Sequence, residues 1–132
     1  MLKENEINPG FVGVPGAKNV LLVEDNPLFQ QKIYQAIEQS CPGSWVAPCG
    51  TGRDALEILA NPVHQFDLVL VDLGLPDIDG LEVISAAREL HLQAPVMVIT
   101  AITSEETLMS AIRVGAQGYT VSSKPIHACR RF

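Results

Sequence analysis

Two four-residue aliphatic runs, Val20-Leu21-Leu22-Val23 and Leu68-Val69-Leu70-Val71, run straight into acid: Glu24 and Asp25 follow the first, Asp72 the second. Apolar runs this short, bounded by turn-forming residues, read as strands buried on both faces. That constrains the fold class, because such strands need helices above and below them. It also raises an electrostatic question. Unpaired charge is costly at the end of a buried strand. Two such strands side by side gather three carboxylates, which then need a cation or a raised pKa to coexist.

From Lys18 onward the pattern alternates strand with helix. A first strand is predicted over about residues 19–24. Asn26 caps a helix with Pro27 in its first turn, and Phe29, Ile33, Ala36 and Ile37 form one apolar stripe. Pro42 and Gly43 end it. Residues 45–49 suit a short strand, and Thr51 caps a helix to about Ala60 with Ala55, Leu56 and Leu59 inward. A third strand covers 67–72, followed by the loop Gly74-Leu75-Pro76-Asp77-Ile78-Asp79-Gly80. A helix to about Leu90 presents Val83, Ile84, Ala87 and Leu90 on one face. A fourth strand covers 95–100, Thr103 and Glu106 form a capping box, Gly115 ends the next helix, and a fifth strand covers about 117–121. Residues 1–18, with Pro9, Gly10, Gly13, Pro15 and Gly16, read as an irregular arm before a domain over 19–132.

Single helices between strands imply an α/β fold with a doubly wound parallel sheet. In such folds the functional crevice lies outside the carboxyl ends of the strands. Glu24, Asp25, Asp72 and Thr100 all fall there. The composition excludes several alternatives. A formal net charge of -6 argues against a nucleic-acid-binding surface. No apolar stretch reaches the roughly 18 residues of a membrane span. Lys3, Glu4 and Glu6 are unlike a signal peptide. Cys41, Cys49 and Cys129 lack metal-ligand spacing and read as reduced structural thiols of a cytoplasmic protein. His64, His91 and His127 are scattered and receive no role.

The segments Val23-Glu24-Asp25-Asn26, Val71-Asp72-Leu73-Gly74-Leu75-Pro76, Gly80, Val98-Ile99-Thr100-Ala101 and Gly115-Ala116-Gln117-Gly118-Tyr119 occur in that order. Together they closely resemble the receiver domain of two-component response regulators, across residues 19–121. The motifs are most similar to those of regulators with a helix-turn-helix output domain. The resemblance implies a five-stranded sheet of flavodoxin-like order 2-1-3-4-5. It implies that Asp72 is the phosphoacceptor, receiving a phosphoryl group from a histidine kinase or phosphotransfer protein. Glu24, Asp25, Asp72 and the backbone carbonyl of Gly74 match the Mg2+ ligands. Thr100 matches the hydroxyl that contacts the phosphoryl group, and Tyr119 the aromatic that moves with it. Such modules are not enzymes, although they assist their own phosphorylation and dephosphorylation.

The carboxyl-terminal end departs from the family pattern. The usual lysine position, three residues after Tyr119, is Ser122, while a Lys-Pro pair occurs at Lys124-Pro125. Either the lysine is absent or Lys124 serves from about 7 Å further along the strand. Its loss would leave the metal site intact and impair the switch, giving a non-switching pseudo-receiver that acts as a protein-interaction module. Residues 122–132 are also short for the last helix of the family. Part of the sheet is then expected to lie bare unless Phe11, Val12 and Val14 of the arm, or a second copy in a homodimer, cover it. A magnesium-dependent phosphatase with an aspartate nucleophile is disfavoured, because Gly74 occupies the position of its second Asp.

Overall fold

The computed structural model describes residues 18–91, 93–100 and 105–121, with Thr100 and residues 119–121 described by backbone alone. Five strands, β1 (Asn19–Val23), β2 (Trp45–Cys49), β3 (Leu68–Asp72), β4 (Val96–Thr100) and β5 (Gly118–Val121), alternate with four helices. These are α1 (Pro27–Ser40), α2 (Gly52–Ala60), α3 (Gly80–Leu90) and α4 (Glu105–Arg113). All pairings are parallel, in the order β2-β1-β3-β4-β5. This is the expected doubly wound sheet. β2 tolerates Pro48, which has no N–H to donate, because it lies at the edge.

The strands bury alternate residues against two layers. Leu21, Val23, Val69, Val71, Val96 and Val98 pack with residues of α2, α3 and α4. Val20, Leu22, Leu68, Leu70, Met97 and Ile99 pack with Ile33 and Ile37 of α1. On the α1 face Leu70, Met97 and Ile99 are buried, while the segments expected to cover or to leave bare that face lie outside the described residues. The arm, Thr103, Ser122 and Lys124 lie outside the described residues.

Local signals in the sequence set the helix ends. Asn26 accepts from the amides of Leu28 and Phe29, with Pro27 in the first turn. Thr51 accepts from Asp54 N–H, and Gly115 takes the left-handed φ of 123° just past α4. Two expected inward residues differ. Leu90 is 52% exposed, because it is the last residue of α3 and sits past the sheet's cover. Ile58, not Leu56, joins Ala55 and Leu59 in the core, since one helical face holds only part of the Leu56-Glu57-Ile58-Leu59 run. The thiols also differ from expectation: Cys49 is free and buried, but Cys41 is disulfide-bonded. Such a bond depends on tertiary proximity, which cysteine spacing does not reveal. Among the described residues no helix is long and apolar enough to cross a membrane.

Candidate functional site

The site forms because β1 and β3 are neighbours in register. Val23 pairs with Val71, so the residues that follow each emerge at the same sheet edge. Glu24 and Asp25 leave β1, and Asp72 ends β3. A carboxylate oxygen from each of the three lies within 4.8 Å of the others. Sequence alone raised the possibility of this meeting; the strand order makes it.

The three acids differ in setting. Asp25 is exposed and Asp72 half-buried, while Glu24 is only 3% exposed. Its backbone N–H donates to Cys49 O at 2.9 Å, which extends the β1–β2 ladder by one step. Its side chain turns back to accept from Asn26 N–H at 3.1 Å, and the Gln30 side-chain amide donates to its backbone carbonyl. Burial pushes the Glu24 carboxyl up to about 8, outweighing the Asn26 hydrogen bond that favours ionisation. The neighbouring charge of Asp72 and contacts with Asp25 and Asp72 push the same way. Glu24 therefore holds its proton more tightly than an ordinary carboxyl, and a cation in the cluster would oppose that shift.

The Asp72 carboxylate is held by its own loop: Gly74 N–H donates to Oδ1 at 3.1 Å. That loop is in turn anchored on α2. Asp77 accepts from Gly52 N–H at 2.8 Å and from Arg53 N–H at 2.9 Å, one with each carboxylate oxygen. These two backbone hydrogen bonds hold its carboxyl below the usual range. Asp79 caps α3 through Leu81 N–H at 3.0 Å. The Asp77 anchor and the Gln30 contact were not legible as functional features in the sequence. Pro76-Asp77 reads only as turn chemistry, and Gln30 as a surface helix residue.

Thr100 ends β4, beside β3, and its backbone pairs with Val121. Tyr119 lies in β5 with its backbone opposite Val98. Both therefore occupy strands on the β3 side of the sheet. The acid cluster suits a hard divalent cation, since it offers only oxygen donors from short side chains at an open strand edge. A carboxylate pushed up first by burial and then by its acidic neighbours is the group such a cation would relieve.

The sequence matches the family model described as the response regulator receiver domain over residues 20–130. It is 32% identical over 107 residues to the transcriptional regulatory protein CitT of Halalkalibacterium halodurans, covering 81% of this chain and 46% of that protein. The chain thus spans about half the length of this curated relative. Among solved structures it resembles a response regulator from Burkholderia pseudomallei with a phosphorylated aspartic acid, calcium ion and citrate. That likeness has a TM-score of 0.75 at 26% identity, covering 84% of this chain and 63% of the other. It also resembles a CheY-like receiver domain protein from Methanospirillum hungatei JF-1, with a TM-score of 0.72 at 27% identity and coverage of 87% and 86%.

Proposed function

This chain belongs to the response regulator receiver domain family, and on that premise we propose that it accepts a phosphoryl group on Asp72, with Mg2+, from a histidine kinase or phosphotransfer protein. The reading rests on one observation above the others. Glu24, Asp25 and Asp72 bring carboxylate oxygens within 4.8 Å of one another at the ends of adjacent strands. The phosphorylated aspartate and the calcium ion of the Burkholderia pseudomallei relative support the same pairing of nucleophile and divalent cation.

In this reading an oxygen of the Asp72 carboxylate attacks the phosphorus of a phosphohistidine. A P–O bond forms as the P–N bond breaks, and the electron pair stays on the imidazole nitrogen, which then takes a proton. Gly74 N–H on Oδ1 fixes the rotation of the carboxylate before attack. Glu24, Asp25, Asp72 and the Gly74 carbonyl would hold the metal. When bound, the metal supplies positive charge that offsets the acids and the transferring group. Glu24 would serve as a ligand in its ionised form, which a bound cation would favour. The Thr100 hydroxyl donates a hydrogen bond to a phosphoryl oxygen after transfer, and Tyr119 responds to its movement. The domain comprises residues 19–132 behind the arm of 1–18, and works in the cytoplasm as a signalling module that assists its own phosphorylation and dephosphorylation.

Acetyl phosphate with Mg2+ tests the assignment. The wild-type chain is expected to gain one phosphoryl group by intact-mass measurement, and Asp72→Asn none. Labelling that survives in Asp72→Asn would remove Asp72 from the role. Lys124 is the candidate cation of the transfer step. Lys124→Ala is expected to slow labelling about tenfold, the change produced by losing roughly 1.4 kcal/mol of transition-state stabilisation. Its magnesium affinity should stay unchanged. An unchanged labelling rate would remove Lys124 from the transfer step.

A further inference from the structure

The loop that follows β3 is bound at both ends to things that matter for the acid site. At one end Gly74 N–H donates to Asp72 Oδ1 at 3.1 Å. At the other, the exposed Asp77 carboxylate grips two successive amides at the start of α2, Gly52 N–H at 2.8 Å and Arg53 N–H at 2.9 Å. The side chains of Leu75 and Ile78 pack where a Cβ on Gly52 would sit, so the loop lies directly against that helix end. The helix does not need Asp77 as its only cap, because Thr51 already accepts from Asp54 N–H at 3.2 Å. Asp77 therefore does something Thr51 does not: it ties the helix to a loop 25 residues away in sequence.

We propose that Asp77 is a positioning residue for the acidic site, clamping the loop onto α2 so that Gly74, and through its amide the Asp72 carboxylate, are held in place. Leu73, Leu75 and Ile78 still pack against the core without Asp77, so removing its carboxylate loosens the loop around Gly74 rather than releasing it. The hydrogen bond to the Asp72 carboxylate and the position of the Gly74 carbonyl are then less firmly fixed. The metal part of this inference rests on the Mg2+ reading of the site; the clamp itself does not.

The experiment compares Asp77→Ala with Thr51→Ala in the full chain. Both remove a cap from the same helix, but only the first removes the hydrogen bonds between that helix and the loop. Two quantities are measured: hydrogen exchange of the Gly74 amide without metal, and the dissociation constant for Mg2+ by titration calorimetry. Asp77→Ala is expected to speed Gly74 exchange and weaken Mg2+ binding about tenfold, the usual scale for losing an outer partner of a metal ligand. Thr51→Ala should leave both near wild type, and Asp77→Asn, which keeps one acceptor oxygen, should recover part of the loss. The proposal is overturned if Gly74 exchange is unchanged in Asp77→Ala, or if Thr51→Ala changes it equally. If Gly74 responds as expected but the wild-type chain takes up no Mg2+, the clamp stands and the metal assignment fails.

Discussion

Glu24→Gln is expected to raise the melting temperature of the metal-free protein above neutral pH and, in the same molecule, to weaken Mg2+ binding. The sign follows from the direction of the Glu24 shift. Its carboxyl is pushed up from 4.5 to about 8 in the folded chain. Below both values the group is protonated in either state and contributes nothing. Between them the unfolded chain releases the proton while the folded chain keeps it, so stability falls as pH rises. Above about 8 the folded chain carries the full cost of a buried carboxylate among acids. At about 1.4 kcal/mol per pKa unit that cost is on the order of a few kcal/mol. Gln removes the charge yet keeps an oxygen for Asn26 N–H, which donates to Glu24 at 3.1 Å. Denaturant titrations at about pH 5 and about pH 9 check this: the wild-type chain should lose stability between them, and Glu24→Gln much less. Saturating Mg2+ should flatten the wild-type slope, because a bound cation holds Glu24 ionised. A Glu24→Gln variant no more stable than wild type at the higher pH would refute the buried-charge account.

That strain at Glu24 was half legible in the sequence. The runs Val20–Val23 and Leu68–Val71 show buried strands by composition, and the acids at their ends show where charge must be accommodated. Neither run says that the other is its neighbour. That comes from the order β2-β1-β3-β4-β5, which depends on crossovers between distant segments. The caps at Asn26 and Thr51, and the stop at Gly115, were readable because each acts within a few residues of itself. Asp77 was not, because its partners Gly52 and Arg53 are 25 and 24 residues away. Leu90 misled for a related reason: its spacing fits the buried stripe, but the stripe outlasts the surface it covers. Local chemistry thus reaches the elements, and tertiary approach assigns the partners.

Close approach makes the second large effect, at Gly80. A Cβ there would lie 2.9 Å from the backbone oxygen of Asp72 and 2.9 Å from the Cα of Leu73. Both atoms are main chain at the end of β3, so neither can rotate away. Gly80→Ala is therefore expected to destabilise by about 1–3 kcal/mol, the range for forced overpacking. It should also weaken Mg2+ binding, because the displaced atoms belong to Asp72 and its neighbour. Gly52 provides the control. A Cβ on Gly52 would meet the Ile78 side chain, with Leu75 Cδ1 a further 3.3 Å contact. Those are side-chain atoms, and although Ile78 Cγ1 moves only with a change of its stiff rotamer, none of the three nearest atoms is main chain. Gly52→Ala should accordingly cost less than Gly80→Ala, despite the tighter nominal contact. Chemical denaturation of both variants decides the matter. If Gly52→Ala proves the more damaging, the rigidity of the β3 end is not what limits substitution beside Asp72.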